Sequence, residues 1–176
     1  MMKKKNRLIV RTVILAIVFI AVGYTFYTNF FANESGIVQA GDQAPNFILT
    51  DLEGNEVELE DYRGKGVFLN FWATYCEPCK DEMPAMDKKY KEYKGKGVEI
   101  LAVNVSEPKL TAESFADRYK LSFPVLLDKS NDVTNHYGVG PIPVTFLIDK
   151  DGKVIKKTEA SLSEEVIDDY MKQIQP

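Results

Sequence analysis

Asn70-Phe71-Trp72-Ala73-Thr74-Tyr75-Cys76-Glu77-Pro78-Cys79-Lys80 holds the only two cysteines of a 176-residue chain and sets them two residues apart. The apolar run ahead of it, Val67-Phe68-Leu69-Asn70-Phe71-Trp72, predicts a buried strand. The residues from Glu77 to Tyr93, closed at Gly95, predict a helix. The cysteines therefore fall where a strand hands over to a helix N-terminus. Unpaired backbone N–H groups and the positive end of the helix dipole favour a thiolate there. Cys76, nearer the helix start and more exposed, is the expected nucleophile; Cys79, one turn in, is the expected resolving thiol. A purely structural disulfide fits poorly, because closing so short a loop removes little chain entropy. A zinc half-site also fits poorly, since no second cysteine pair exists and His136 is the only histidine.

Outward from this stretch, Pro45–Asp51, the turn Glu53-Gly54-Asn55 and Glu56–Leu59 predict a hairpin. After the helix, Val98–Val105 predicts a second apolar strand and Lys109–Leu121 a helix. Phe123–Asp128 predicts a third strand, and Asn131–Tyr137 one or two helical turns closed by Gly138. Val144–Asp149, an Asp151-Gly152 turn and Lys153–Lys157 predict a second hairpin, and Ser163–Ile174 a final helix, with an N-cap supplied by Ser161-Leu162-Ser163-Glu164-Glu165 and acids in its first turn. The βαβ order implies parallel strands with a right-handed crossover. Parallel strands flanked by helices and ending in an antiparallel hairpin make an α/β sandwich, and a Cys-x-x-Cys at its first βα junction is the thioredoxin-like arrangement.

The formal net charge is −4, yet residues 1 to 11 carry five positive charges (Lys3, Lys4, Lys5, Arg7, Arg11) and no negative one, which leaves −9 for the remainder. So acidic a body argues against nucleic acid as a partner and favours neutral or basic proteins. Thr12 to Ala32 contains no charged residue over 21 positions, enough at helical rise to cross a bilayer core of about 30 Å. A cleaved signal peptide calls for a shorter apolar region and small residues at the cleavage site, where this chain has Phe30. The expected organisation is a basic cytoplasmic N-terminus (1–11), a transmembrane signal anchor (12–32), a tether (33–44) and a globular domain (45–176). Basic residues before the span place the N-terminus in the cytoplasm and the domain on the extracytoplasmic face of the cell membrane.

Phe71-Trp72-Ala73-Thr74-Tyr75-Cys76-Glu77-Pro78-Cys79 resembles the thioredoxin signature. Gly41-Asp42-x-Ala44-Pro45-Asn46-Phe47, together with Gly66-Val67-Phe68-Leu69-Asn70-Phe71-Trp72, resembles the TlpA branch. With the basic start, the single anchor and Gly64-Lys65-Gly66, the chain is similar to the ResA-like membrane-anchored thiol-disulfide oxidoreductases over almost its whole length. The resemblance implies a thioredoxin-like α/β fold with an N-terminal β-hairpin extension and an inserted helix, preceded by one transmembrane helix. It implies a cis Ile142-Pro143 dipeptide facing the cysteines, with Pro141 as the competing candidate, and a kinking Pro84. The substrate-facing residues are then Ile142, Pro143, Tyr75, Trp72, Glu77 and Pro78.

Two departures stand out. The buried aspartate that many thioredoxins carry two residues before the signature tryptophan is here Asn70, which cannot titrate. Glu82, three residues after Cys79, resembles the glutamate of a Cys-x-x-Cys-x-x-Glu pattern and is the expected proton relay. Tyr75 stands where relatives carry tryptophan. Glu77 places a negative charge near the thiolate, which argues for a reductant rather than an oxidant. The implied activity is reduction of the disulfide in the Cys-x-x-Cys-His segment of apocytochrome c during cytochrome c maturation. A CcdA-like transmembrane protein would supply the electrons, and the monomeric domain would need no cofactor or metal. The alternatives are a paralogous reductase for a spore-envelope substrate and, in another class, a copper metallochaperone using both cysteines and His136.

Overall fold

The computed structural model describes residues 4–31 and 37–176 and divides the chain into two units, Met1–Ser35 and Gly36–Pro176. The first contains one helix, α1 (Lys4–Phe31). The expected anchor falls on it except at Ala32, which lies outside the described residues, as do the first three residues and positions 33–36 of the expected tether. Among the described residues no helix is long and apolar enough to cross a membrane.

The second unit is built on one sheet. Its elements are β1 (Ile48–Asp51), β2 (Glu56–Glu58), β3 (Gly66–Trp72), α2 (Glu77–Tyr93), β4 (Val98–Val105), α3 (Lys109–Tyr119), β5 (Val125–Asp128), α4 (Asp132–His136), β6 (Val144–Ile148), β7 (Val154–Thr158) and α5 (Glu164–Ile174). The strand order is β2-β1-β5-β4-β3-β6-β7. β3 runs parallel to β4 and β4 to β5, whereas β6 and β7 are antiparallel, as the βαβ and hairpin signals predict. The N-terminal hairpin does not stand apart: β1 pairs antiparallel with β5 and extends the same sheet.

Alternation along β3 divides two cores. Phe68 and Trp72 face a layer that includes Met83, Met86 and Tyr90 of α2 and Ile167 and Met171 of α5. Val67, Leu69 and Phe71 face Phe47, Tyr137 and Phe146 on the other side. All seven β3 residues are buried, which explains a continuous apolar run instead of an alternating one. β3 can start where it does because Gly66 has no side chain: a Cβ there would lie 2.0 Å from the Ile174 carbonyl oxygen.

Several boundaries differ from expectation by a few residues, and three of the differences have a clear physical reason. Residues 38–44, expected as tether, are fastened to the domain. The Gly41 N–H donates to the Val154 carbonyl, the Val154 N–H to Asp42 and the Ala44 N–H to Gly152, while Val38 and Ala44 are buried. A glycine-containing polar stretch reads as linker locally, but here the exposed edge of β7 offers it hydrogen-bond partners. β5 begins at Val125, because Pro124 has no N–H to donate to a ladder. α3 ends at Tyr119, where Lys120 turns left-handed at φ 54°.

Candidate active site

α2 runs unbroken through Pro84, and Cys76 is its N-cap residue, the Sγ lying 3.3 Å from the Cys79 N–H. Cys76 and Cys79 form a disulfide. Cys76 keeps a small exposed edge, while Cys79 is fully buried among Trp72, Met83 and Ile167. The sheet supplies the other side of the site. The Ile142–Pro143 peptide bond is cis, so the competing Pro141 is set aside, and the Ile142 carbonyl oxygen lies 3.6 Å from the Cys76 sulfur.

Glu82 is not the surface acid that a helix position three residues past Cys79 could equally have given. It is 1% exposed. Its Oε1 accepts from the Asn70 side-chain amide at 3.0 Å and its Oε2 from the Leu162 N–H at 3.0 Å. Burial pushes the carboxyl up to about 7 against the opposing pull of those two bonds. At neutral pH the group therefore both takes and gives a proton readily. Asn70, in the position of the missing aspartate, holds it: the same amide nitrogen also donates to Thr145 Oγ1 at 3.1 Å, across the β3–β6 pairing. The Asn70 Oδ1 is buried without a partner among the described residues.

Trp72 is a correction. It was expected to face substrate but is fully buried, with its ring 4.8 Å from that of Phe115. As the last residue of a strand covered on both faces, its side chain enters the core beneath the redox turn. Tyr75, by contrast, is 70% exposed beside Cys76. Pro78 is exposed and its carbonyl accepts from Ser161 Oγ at 3.0 Å. Glu77 is exposed and paired with Lys80 at 2.6 Å, so part of its negative charge is offset before it acts on Cys76. His136 closes α4 and lines a separate pocket with Phe47, Ile48 and Tyr137.

Sequence reasoning missed Glu107. Its carboxylate accepts from the Thr74 N–H at 2.7 Å, from Thr74 Oγ1 at 2.5 Å and from the Asn104 amide at 2.7 Å. These bonds hold the turn that delivers Cys76. Glu107 follows the end of β4 and acts 33 residues back along the chain, so no local spacing signals it.

The AhpC/TSA family matches residues 40–157. The chain is 54% identical to the thiol-disulfide oxidoreductase ResA of Geobacillus thermodenitrificans, covering 99% of this chain and 100% of that protein. It is 53% identical to the protein of the same name from Geobacillus kaustophilus, again over 99% of this chain and 100% of the relative. A crystal structure from Chlorobium tepidum, of a protein assigned provisionally as the thiol:disulfide interchange protein DsbE, superposes with a TM-score of 0.74 at 31% identity. It covers 80% of this chain and 100% of that one.

Proposed function

Because this chain belongs to the AhpC/TSA family, and within it to the ResA-like thiol-disulfide oxidoreductases, we propose that it reduces the disulfide of the apocytochrome c Cys-x-x-Cys-His segment so that haem can be attached. The domain works on the extracytoplasmic face of the cell membrane, held there by residues 12–32. The charge-free run and the exposed apolar side chains of α1, among them Ile17, Phe19 and Ile20, support that placement.

The observation that carries the reading is the inequality of the two sulfurs: Cys76 reaches the surface at the head of α2, and Cys79 is buried one turn behind it. In the reduced protein the Cys76 thiolate attacks one substrate sulfur. A Cys76–substrate bond forms, the substrate disulfide breaks, and the departing thiolate takes up a proton. Cys79 passes its proton toward Glu82 and attacks the Cys76 sulfur. The Cys76–Cys79 bond re-forms and the second substrate thiol leaves, so two electrons have passed to the substrate. Ile142, whose carbonyl faces Cys76, and the exposed Tyr75 and Pro78 border the place where the substrate chain lies. This chemistry needs no bound cofactor, but the oxidised pair must be recharged by a dithiol donor, a CcdA-like membrane protein.

Replacement of Cys79 by alanine removes the resolving thiol and leaves Cys76 to form a stable mixed disulfide. The expected captured species is apocytochrome c. Capture only of a spore-envelope protein would move the substrate to the paralogous pathway. A reduction potential near that of strong periplasmic oxidants would refute the reducing direction.

A further inference from the structure

Beside the redox turn lies a cavity of about 290 Å³ that the thiol chemistry does not use. It is lined by Thr74, Lys80, Thr111, Phe115, Arg118 and Tyr119. Thr74 stands two residues before Cys76 and Lys80 directly follows Cys79, so one wall of the cavity is the redox segment itself. The opposite wall is α3, whose Phe115 ring packs 4.8 Å from Trp72 and stacks 4.2 Å from Tyr119.

The charges of this cavity are unevenly satisfied. Lys80 is paired with Glu77. Arg118 is exposed, and its guanidinium has neither a hydrogen-bond nor an ion-pair partner among the described residues. It projects five donors from a molecule whose remainder, beyond residues 1 to 11, carries −9. The two most exposed large apolar side chains within residues 37–176 adjoin the lining residues in the chain. Tyr75 follows Thr74 and is 70% exposed, and Leu110 precedes Thr111 and is 74% exposed. An aromatic floor, free donors and two uncovered apolar side chains next to a nucleophilic cysteine match a polypeptide segment that carries both an apolar and an acidic side chain.

We propose that this cavity is a substrate subsite that seats a carboxylate side chain of the polypeptide flanking the target disulfide against Arg118, with a neighbouring apolar side chain between Tyr75 and Leu110. The inference rests on the reductase reading above and adds a selectivity to it. The acidic body as a whole attracts neutral or basic chains, so a single guanidinium at this position sets register instead of overall affinity. A partly exposed Arg–carboxylate pair corresponds to an expected advantage of about fivefold in kcat/KM for a correctly placed acid.

The test uses the full-length protein in detergent, reduced beforehand, and a set of short peptides each closed by one Cys-Ala-Ala-Cys disulfide. Glutamate or glutamine occupies each of the three positions on either side, and peptide thiol release is followed. A glutamate preference is expected at one or two adjacent positions and shrinks with added salt. Arg118→Gln should bring the glutamate-to-glutamine ratio to about one, Arg118→Lys should keep part of it, and Lys129→Gln, on an exposed position outside the cavity, should keep all of it. Equal rates at every position would overturn the subsite, as would a preference that survives Arg118→Gln or is lost equally in Lys129→Gln. Failure to reduce any peptide would overturn the reductase reading itself, and the subsite with it.

Discussion

Replacing Glu82 by glutamine keeps the volume of the side chain and removes its charge, so the cost of burying that charge becomes measurable. The carboxyl is moved by burial from 4.5 to about 7. At about 1.4 kcal/mol for each tenfold change in proton affinity, this corresponds to about 3 kcal/mol. The direction follows from which state holds the proton. Between pH 4.5 and 7 the folded protein binds a proton at Glu82 that the unfolded chain has already released. The stabilisation is therefore complete below about 4.5 and is lost as pH rises through 7. Glutamine has no such dependence. Its oxygen accepts from one of the two donors that meet Glu82, the Leu162 N–H and the Asn70 amide. Its own NH₂ would oppose the other, unless the Asn70 amide turns over and offers its unpartnered Oδ1. Above pH 8, Glu82→Gln is thus expected to be more stable than the parent by about 2–3 kcal/mol. The two should converge near pH 5. The assay is urea unfolding of both proteins with the disulfide intact, at half-unit steps from pH 5 to 8.5. Parallel stability curves would refute the argument, because they would mean that Glu82 is as well solvated in the folded state as in the unfolded one. Activity should move the other way, with slower resolution of the Cys76 mixed disulfide and loss of the pH inflection near 7.

Asn70→Leu removes the donor to Glu82 Oε1, and the carboxyl is expected to titrate about one pH unit higher, read from the pH profile of mixed-disulfide resolution. An unmoved inflection would show that Asn70 does not hold the acid. Glu107→Gln weakens three contacts to Thr74 and Asn104 and is expected to destabilise the oxidised protein by about 2 kcal/mol, measured by thermal or urea unfolding. A wild-type midpoint would mean that the redox turn stands without Glu107. Gly66→Ala drives a Cβ into the Ile174 carbonyl and is expected to destabilise by more than about 2 kcal/mol, whereas Gly95→Ala, which meets nothing within 4 Å, is expected to be nearly neutral.

Much of the fold follows from local patterns. The apolar runs at Val67 and Val98, the Asp151-Gly152 turn and the cap signal within Ser161–Glu165 each mark an element that forms where its residues lead one to expect it, whereas α2 gives way after Tyr93 to a short 3-10 turn over Lys94–Lys96, and Gly97 rather than the expected Gly95 turns left-handed, at φ 81°. The redox pair was legible for the same reason, since two cysteines at a strand-to-helix junction are a matter of near neighbours. The segment 38–44 was not legible, because its partners Gly152 and Val154 lie more than a hundred residues onward. Trp72 was misjudged for a related reason. A residue next to an active-site turn can point to solvent or to the core, and only the packing of α2 and α3 over β3 decides which.

The amino-acid sequence by itself determined the chemistry available to this protein: one dithiol at a helix start, no histidine besides His136, and an uncharged stretch long enough to span a bilayer. Those are properties of composition and short spacing, which survive in any conformation. The tertiary structure alone decided how each group behaves. Glu82 has the same side chain as Glu77, yet one is buried against Asn70 and Leu162 and pushed up to about 7, while the other is exposed and paired with Lys80. The difference arises because charge is governed by what surrounds it, and the surroundings of Glu82 come from β3, β6 and the chain 80 residues onward.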